Sequence, residues 1–399
     1  MRKIDLSAFQ TATNFTTRDI NRRIVLDLIR TQQPISRADI ARRSGLQRST
    51  ITQIADQLIA QNWIEEGEAG RNIRGRKSRL LQLNLERAGI LGINVRPLQT
   101  AIAQADLNGR FHAQESFLTP RDPERFVREL TRRVRAFLAP RPGIRWEGIG
   151  ISVPGAVDQR TQRIIFSPNL GWRDLDLSRE LKQVTGLGVT VENASNACAL
   201  AEIWFGRAAP VSNLITVTVA EGIGTGIILN GELVHGASGA GGEFGHVTLV
   251  EDGLPCPCGN RGCWERYSSN SAVLDWHRQL EHKRQAKSEA ARGLNFPELM
   301  QQAAEGKPSA AAALDRAAHY LGVGIAMLVT GFAPERVVVI GEITQAWPRV
   351  SAIIQEIVRQ RCGMYQAVEL LAANEANQPR LRGAIAMVLQ HYFSAPRIA

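Results

Sequence analysis

Three of the chain's five cysteines lie within eight positions, shortly after a histidine. The group comprises His246, Cys256, Cys258 and Cys263, and it spans a loop at about 246–263. Three thiolates and one imidazole suit a structural zinc site, in which four protein ligands leave no position for an activated water. The spacing therefore predicts structural zinc. The alternative, buried or redox-active thiols beside an unrelated histidine, is disfavoured by the clustering.

Two further groups of residues could bind a small molecule. Amide and carboxylate side chains suit hydroxyl-rich ligands, because they can pair with neighbouring hydroxyl groups. The candidates are Glu192, Asn193, Glu243, His246 and Glu265. The segment 221–226 (EGIGTG) contains three glycines, which can bring backbone N–H groups close to an anion. From the residues alone, an ordinary polar surface and a tight hairpin explain both groups more simply.

The positive charge of the chain is concentrated near its N-terminus. The 399 residues carry 48 Lys and Arg against 38 Asp and Glu, a formal net charge of +10. Residues 1–87 hold 16 of the basic and 9 of the acidic side chains. This distribution favours a basic, nucleic-acid-binding module at 1–87 on a near-neutral body at 88–399, although a solvated basic surface is the alternative.

The basic segment has the pattern of a helix-turn-helix. Residues 18–30 place apolar side chains at four-residue spacing, which predicts a helix. Ser36 and Asp39 have the spacing of a helix cap, and Gly45 permits the left-handed turn that would end a short second helix. A third helix is predicted at about 47–61. A three-helix module that binds another protein is the alternative.

In such a motif, the second helix of the pair enters the major groove with its N-terminal residues on the base edges. The predicted helix offers candidate contacts at Arg48, Ser49, Thr50, Thr52 and Gln53. Two short predicted strands then flank a Gly/Arg-rich tip, as in a wing. The tip offers candidate phosphate or minor-groove contacts at Arg71, Arg74, Arg76 and Lys77. Double-stranded DNA is therefore the predicted partner.

The body alternates predicted strands with helices, which indicates an α/β architecture. Its start is predicted to form two strands with a turn at Asn108–Gly109, and 278–310 is predicted to be an exposed helical excursion. No apolar run reaches the roughly 20 residues of a membrane span, and the first residues lack the apolar stretch of a secretory signal. We therefore expect a cytoplasmic protein with no membrane partner.

Four segments of the body resemble the ROK family of repressors, open reading frames and sugar kinases. They are ISVPGAVD at 151–158, VENASNACALAEIWFG at 191–206, EGIGTGIILNGELVHGASGAGGEFGH at 221–246 and CPCGNRGCWE at 256–265. The resemblance implies a two-lobed actin-like, RNase H-like sugar-kinase fold after a winged helix-turn-helix. It also implies zinc on the Cys₃His group. A sugar would be held by Gly155, Asn193, Glu243, His246 and Glu265.

Three departures from the kinases of this family bear on catalysis. Ala194 follows Asn193 where family kinases have an Asp that takes the proton from the sugar hydroxyl, and alanine has no titratable group. The phosphate loop is replaced by Asn94-Val-Arg-Pro-Leu98, in which Pro97 has no N–H. In the late nucleotide motif stands Glu342, whose carboxylate would repel phosphate. The sequence therefore predicts that the protein is not an enzyme.

A helix-turn-helix before this body resembles the transcriptional repressors of the family. The expected function is a sequence-specific repressor of carbohydrate genes that responds to a sugar or sugar derivative, and the expected assembly is a homodimer or homotetramer. Two alternatives stay open. One is an ATP-dependent sugar kinase fused to a DNA-binding domain, and the other is a regulator controlled by a protein partner without a sugar ligand.

Overall fold

The computed structural model describes residues 14–69, 79–86, 88–139, 144–206, 211–237, 239–284, 294–363, 368–373 and 375–393. Along the chain, a small head with helices and a three-stranded sheet precedes a body of two α/β lobes. Each lobe is built on a five-stranded sheet. We call the described residues up to 86 the head and those from 88 onward the body.

The head is a helix-turn-helix followed by two wing strands. Its elements are α1 (Asn14–Gln32), β1 (Ile35–Ser36), α2 (Arg37–Ser44), α3 (Arg48–Ala60), β2 (Ile64–Ala69) and β3 (Arg79–Leu83). The side chain of Ser36 caps α2 by accepting a hydrogen bond from the Asp39 N–H at 3.1 Å. Gly45 ends α2 with a left-handed φ of 73°, which glycine adopts without steric cost. Both features confirm the predicted cap and turn.

The first lobe carries a mixed sheet with strand order β11-β7-β4-β5-β6. Its elements are β4 (Ala88–Asn94), β5 (Gln99–Ala105), β6 (Phe111–Leu118), α4 (Pro123–Phe137), β7 (Arg145–Val153), β8 (Ala156–Val157), β9 (Ile164–Ser167), β10 (Trp172–Leu175), α5 (Leu177–Thr185) and β11 (Val189–Asn193). The predicted turn at Asn108–Gly109 joins β5 to β6, so the segment continues into a third strand. Strands β8 to β10 form a small separate sheet.

The second lobe carries a sheet with strand order β14-β13-β12-β15-β16. The elements that follow β11 are α6 (Ala194–Phe205), β12 (Leu214–Val219), β13 (Ile223–Leu229), β14 (Glu232–Leu233), α7 (Glu265–Ser268), α8 (Asn270–Arg284), α9 (Phe296–Ala304), α10 (Pro308–Phe332), β15 (Arg336–Ile340), α11 (Trp347–Arg361), β16 (Glu369–Ala372) and α12 (Pro379–Phe393). The last of these, α12, returns to the sheet of the first lobe.

The two five-stranded sheets have the same topology. In each, three antiparallel strands are followed by two strands that add in parallel on the other side of the first. The turn between β4 and β5 in one lobe is therefore equivalent to the turn between β12 and β13 in the other. This repeated architecture confirms the predicted α/β class and the two-lobed actin-like body.

Helices α6 and α12 pack against each other with their backbones in close approach. A methyl group at Gly383 of α12 would lie 2.0 Å from the carbonyl oxygen of Ala197 in α6. Likewise, a methyl group at Gly150 of β7 would lie 1.8 Å from the carbonyl oxygen of Ala384 in α12. Glycine is required at both positions because any side chain would collide with backbone atoms. We call the α6–α12 contact around Gly383 the seam.

Head and body share one apolar core. Buried residues of α12, including Val388 and Phe393, belong to the same apolar cluster as Leu26 and Ile29 of α1. Trp63 of the head belongs to the same cluster, and its ring centroid lies 5.0 Å from that of Tyr392. The head is therefore attached to the end of α12 by buried apolar contacts as well as by the chain.

The prediction of an exposed excursion at 278–310 is wrong for one face of α9, although most of the other described residues there are exposed. Phe296, Leu299 and Met300 of α9 are buried in the core of the second lobe. Their spacing places them on one side of α9, and the charged and Gln-rich composition of 278–310 as a whole hides this apolar stripe. By length and composition alone, helix α10 could cross a membrane, but 61% of its most apolar 18-residue segment is buried inside the protein.

Replacing Gly150 with alanine tests the packing of β7 against α12. The added methyl group would meet a backbone carbonyl that can move only with its helix, and overpacking of this kind costs about 1–3 kcal/mol. We expect Gly150→Ala to lower the midpoint of thermal unfolding. The matched control is Gly188→Ala, since no atom lies within 4 Å of its added methyl group. Equal midpoints for the two variants would contradict the close approach.

Candidate functional site

Helix α3 presents a polar start to solvent. Its apolar side, Ile51, Ile54, Ala55 and Leu58, is buried in the head, whereas Arg48, Ser49, Thr52 and Gln53 are exposed and Thr50 is partly buried. The hydroxyl of Thr52 donates to the Arg48 carbonyl at 2.9 Å, so only its lone pairs are left for a ligand. The five candidate DNA contacts therefore lie together in the first two turns.

An ion-pair network joins α2, α3 and the wing strands. Arg37 of α2 contacts Glu66 of β2 at 2.8 Å and Asp56 of α3 at 3.0 Å. Arg79 of β3 contacts the other oxygen of Glu66 at 2.6 Å. Hydrogen bonds from Arg79 and Arg37 lower the pKa of Glu66, so its carboxylate stays charged and braces the wing against the helix pair. No local sequence pattern predicts this network, since its members are separated by up to 42 positions.

The wing tip lies outside the described residues. The four candidate contacts there are Arg71, Arg74, Arg76 and Lys77. Strands β2 and β3 pair as an antiparallel ladder that leads into and out of this segment. The strands of the predicted wing are therefore present, and the phosphate contacts of its tip stay predictions.

The Cys₃His residues converge on one point. One ligand atom from each of His246, Cys256, Cys258 and Cys263 lies within 4.8 Å of all the others. The Cys258 and Cys263 sulfurs are 3.7 Å apart, as are the Cys256 sulfur and His246 Nδ1. Tetrahedral zinc with Zn–S bonds of about 2.3 Å would place two sulfurs about 3.8 Å apart. Donor set and spacing therefore fit a tetrahedral metal ion.

The loop around these cysteines is folded tightly against its neighbours. Gly262 has a φ of 70°, and a methyl group there would lie 1.7 Å from the Val250 carbonyl oxygen. Burial raises the pKa of the Cys256 and Cys263 thiols, which keeps them protonated when no cation is near. A bound metal ion would reverse this preference by stabilising the thiolates.

Two candidate sugar contacts, Glu243 and Glu265, lie next to His246, which is both a candidate sugar contact and one of the metal-binding residues. His246 Nε2 lies 3.9 Å from a Glu243 oxygen, and His246 Nδ1 lies 3.6 Å from a Glu265 oxygen. Glu265 also accepts a hydrogen bond from the Cys256 thiol at 3.1 Å. Burial raises the pKa of Glu243, with the nearby Glu265 acting in the same direction and His246 against it. The arrangement places carboxylate oxygens and an imidazole edge on one small surface.

The other two candidate contacts form a second group. Asn193 Nδ2 donates to the Gly155 carbonyl at 2.8 Å, and its Oδ1 caps α6 by accepting from the N–H groups of Ser195 and Asn196. A methyl group at Gly155 would lie 2.3 Å from the Phe166 carbonyl oxygen, so glycine is required in this turn. Asn193 thus keeps a single amide N–H for a ligand.

The two groups belong to opposite sides of the body. Asn193 and Gly155 follow strands of the first sheet, whereas Glu243, His246 and Glu265 follow strands of the second. Close approaches such as Gly239 against the Val157 carbonyl, where a methyl group would lie at 2.2 Å, join the intervening loops. We call these five residues together the candidate cleft.

Glu192 is the carboxylate nearest in sequence to Ala194, where family kinases have a catalytic base, and its oxygens already have hydrogen-bond partners in the protein. Glu192 is buried, and one of its oxygens accepts from the Asn193 N–H, the Asn196 amide and the Gln159 amide. Its other oxygen lies 2.8 Å from His235 Nε2. Because both oxygens have protein partners, Glu192 is poorly placed to take a proton from a ligand. Ala194 begins α6 directly after the cap and offers no substitute.

Two of the three departures from the kinases, the Asn94–Leu98 segment and Glu342, carry side chains that contact other parts of the protein. Arg96 in the β4–β5 turn lies 3.4 Å from Glu221 in the equivalent β12–β13 turn. Glu342 accepts a hydrogen bond from the Asn270 amide at 2.8 Å. Arg96 and Glu342 therefore each have a protein side chain as partner.

Comparisons with known proteins agree with this architecture. A model of the ROK family matches residues 90–391, and a model of the MarR family matches residues 23–66. The xylose repressor of Bacillus subtilis is 31% identical over 378 residues, which cover 94% of this chain and 96% of that protein. The match therefore extends through both head and body.

Among solved structures, one is similar to nearly the whole chain and another to about three quarters of it. A crystal structure of a ROK family transcriptional regulator, a homolog of the Escherichia coli MLC protein, has a TM-score of 0.81 at 27% identity and covers 95% of this chain and 98% of its own. A ROK family glucokinase from Streptomyces griseus, in complex with glucose and AMPPNP, has a TM-score of 0.64 at 27% identity and covers 75% of this chain and 98% of its own. This chain belongs to the ROK family and carries a MarR-type helix-turn-helix on the N-terminal side of its ROK body.

Proposed function

We propose that this protein is a sugar-responsive transcriptional repressor that binds operator DNA through its head. The observation that carries the proposal is the exposed polar start of α3, on a head whose apolar core continues into a ROK body. The similarity to a xylose repressor over 94% of the chain supports it. The regulated genes would be carbohydrate genes, as for that relative.

The head would read DNA in the major groove through α3. Arg48 suits the O6 and N7 acceptors of guanine, and Gln53 suits adenine, while Ser49, Thr50 and Thr52 suit bases or phosphates. The wing residues Arg71, Arg74, Arg76 and Lys77 would contact phosphates or the adjacent minor groove. As a homodimer or homotetramer in the cytoplasm, the protein would place two heads on a two-fold operator.

The candidate cleft would hold a neutral sugar. Glu243 and Glu265 supply oxygens that accept from neighbouring hydroxyl groups, and Asn193 supplies its remaining N–H. The kinase-like geometry would then serve binding alone, because Ala194 cannot take a proton and Glu192 is occupied. The protein would therefore bind sugar without phosphorylating it.

The metal held by the Cys₃His residues would be structural zinc. All four ligands come from the protein, so zinc would supply a rigid link between the loop and His246 instead of a reactive water. With Nδ1 of His246 on the cysteine side, Nε2 would face Glu243 and the candidate cleft. The metal would thereby fix the orientation of a sugar-contacting ring.

Substitution of Arg48 and Gln53 tests the DNA-binding proposal. We expect each alanine variant to lose about 1–3 kcal/mol of discrimination at one base pair, while binding to unrelated DNA changes less. Fluorescence anisotropy on operators selected from random duplexes, with single base-pair changes, measures this. The matched control is Arg132→Ala, which removes an exposed arginine of the body. Equal losses on selected and scrambled DNA would count against base readout.

Removal of one thiol tests the metal proposal. We expect one zinc per wild-type chain by plasma emission spectroscopy, and its loss together with a lower unfolding midpoint in Cys258→Ser, because three ligands hold the loop less tightly. Cys198→Ala is the control, since Cys198 is buried in α6 and belongs to another cluster. Metal-free wild-type protein, purified without chelators, would refute the zinc assignment.

A sugar panel separates the repressor from the kinase. With D-xylose, D-glucose and N-acetyl-D-glucosamine, we expect calorimetry to detect binding of at least one sugar, and an ATP-coupled assay to detect no turnover. Glu243→Gln and Glu265→Gln should weaken that binding, because each loses a charged acceptor. Turnover that disappears in these variants would establish a kinase instead. Absence of any sugar binding would favour control by a protein partner.

A further inference from the structure

Arg30, near the end of α1, reaches out of the head onto the body. Its guanidinium carbon lies 4.5 Å from the centroid of the Trp204 ring and 5.7 Å from that of Phe393. The two rings meet edge to face, with centroids 6.1 Å apart. Asp27 accepts two hydrogen bonds from the guanidinium at 3.0 and 3.2 Å. The Arg30 side chain is 16% exposed, so it is a largely buried cation on two aromatic rings.

The two rings stand at the ends of two different helices. Trp204 is near the C-terminal end of α6, and Phe393 is the last residue of α12. Helix α6 begins at the Asn193 cap in the candidate cleft and has 12 residues, a length of about 18 Å. A single helix therefore runs from the candidate cleft to Arg30.

The same two helices belong to different lobes. The Ser195 hydroxyl of α6 lies 2.9 Å from the Thr218 hydroxyl of β12 in the second sheet. The Tyr392 hydroxyl of α12 donates to the Glu147 carbonyl of β7 in the first sheet at 2.9 Å. Closure of the lobes would therefore slide α6 against α12 along the seam, a shear motion of packed helices. Such a slide would change the relation of Trp204 to Phe393.

We propose that Arg30 is a positioning residue that couples the candidate cleft to the orientation of the DNA-binding head. The inference rests on the proposed function. Because the planar guanidinium contacts both rings at once, it fits one relative position of the two helix ends. Sugar that closes the lobes displaces the rings, and the head loses the orientation in which it binds the operator. The sugar acts by binding one of the two arrangements more tightly.

The chain offers a matched control on the same helix. Arg22 of α1 also lies over an aromatic ring, 5.8 Å from the centroid of Trp63, and it donates to Gln61 at 3.1 Å. Both of those partners belong to the head. Arg22→Gln and Arg30→Gln therefore remove the same charge from one helix, and only the second removes a contact with α6.

The experiment measures operator affinity with and without sugar. The full-length protein binds a selected operator in a fluorescence anisotropy assay, in buffer and with saturating D-xylose, D-glucose or N-acetyl-D-glucosamine. Calorimetry measures sugar affinity and thermal unfolding measures stability for each variant. The variants are Arg30→Gln, Arg30→Lys, Arg22→Gln and Trp204→Leu, the last of which removes a ring without changing charge.

In wild type and Arg22→Gln, we expect the effective sugar to weaken operator binding by about 5–150-fold. In Arg30→Gln and Trp204→Leu, we expect the ratio of operator affinities without and with sugar to fall to near one, while the protein binds sugar at least as tightly as the wild type does, because the contact that opposes the sugar-bound arrangement is gone. Arg30→Lys should be intermediate, since it retains the cation but not the planar stacking. If Arg30 had a merely structural role, its substitution would lower stability and leave the effect of sugar on operator affinity unchanged in folded protein.

Two results would overturn the inference, and they are distinguishable from each other. If wild type responds to sugar and both Arg30→Gln and Trp204→Leu respond equally, the coupling does not pass through this contact. If the wild-type protein binds sugar or operator but its operator affinity is the same with and without sugar, the proposed function fails and the inference fails with it.

Discussion

The close approach of α6 and α12 is the contact on which the rest of the structure depends. It is possible because Gly383 has no side chain to meet the Ala197 carbonyl, and because Gly150 lets α12 lie directly on β7. One helix is bonded to each sheet, and the head is built onto the end of α12. The positions of both lobes and of the head are therefore set at the seam. Close-packed protein interiors transmit displacements instead of absorbing them.

The same constraint explains how a kinase-like cleft can persist without its catalytic base. Asn193 caps α6 and ties it to Gly155, and Glu192 organises four neighbouring groups from a buried position. These residues are needed for the fold. The fold places no such requirement on position 194, because alanine in the first turn of a helix carries no cost in helix propensity. Loss of the base therefore leaves the surrounding polar framework in place.

Local features of the fold could be predicted from the sequence, whereas distant pairings could not. The Ser36 cap, the Gly45 turn and the clustering of the Cys₃His residues depend on neighbours in the chain, so spacing is sufficient evidence for them. Arg30 on Trp204 and Arg96 on Glu221 join residues 174 and 125 positions apart. Such pairs follow from the packing of helices and sheets, which no local pattern encodes. The buried stripe of α9 was missed for a related reason, since its burial depends on the lobe around it.

The two ends of the body differ in how firmly they hold the lobes together. Between the β4–β5 and β12–β13 turns, Arg96 and Glu221 are 38% and 50% exposed, and an ion pair between side chains this exposed contributes about 0–1 kcal/mol. At the seam, the contact is backbone on backbone and buried. The exposed ion pair therefore opposes relative motion of the lobes less than the buried backbone contact at the seam does. A sugar shifts the lobes only by the difference in its affinity for the two arrangements, and a fivefold difference, about 1 kcal/mol, already matches what this ion pair contributes. Under the proposed coupling, a sugar that prefers one arrangement would shift the lobes, and the packed contact of α6 with α12 would carry that shift toward the head.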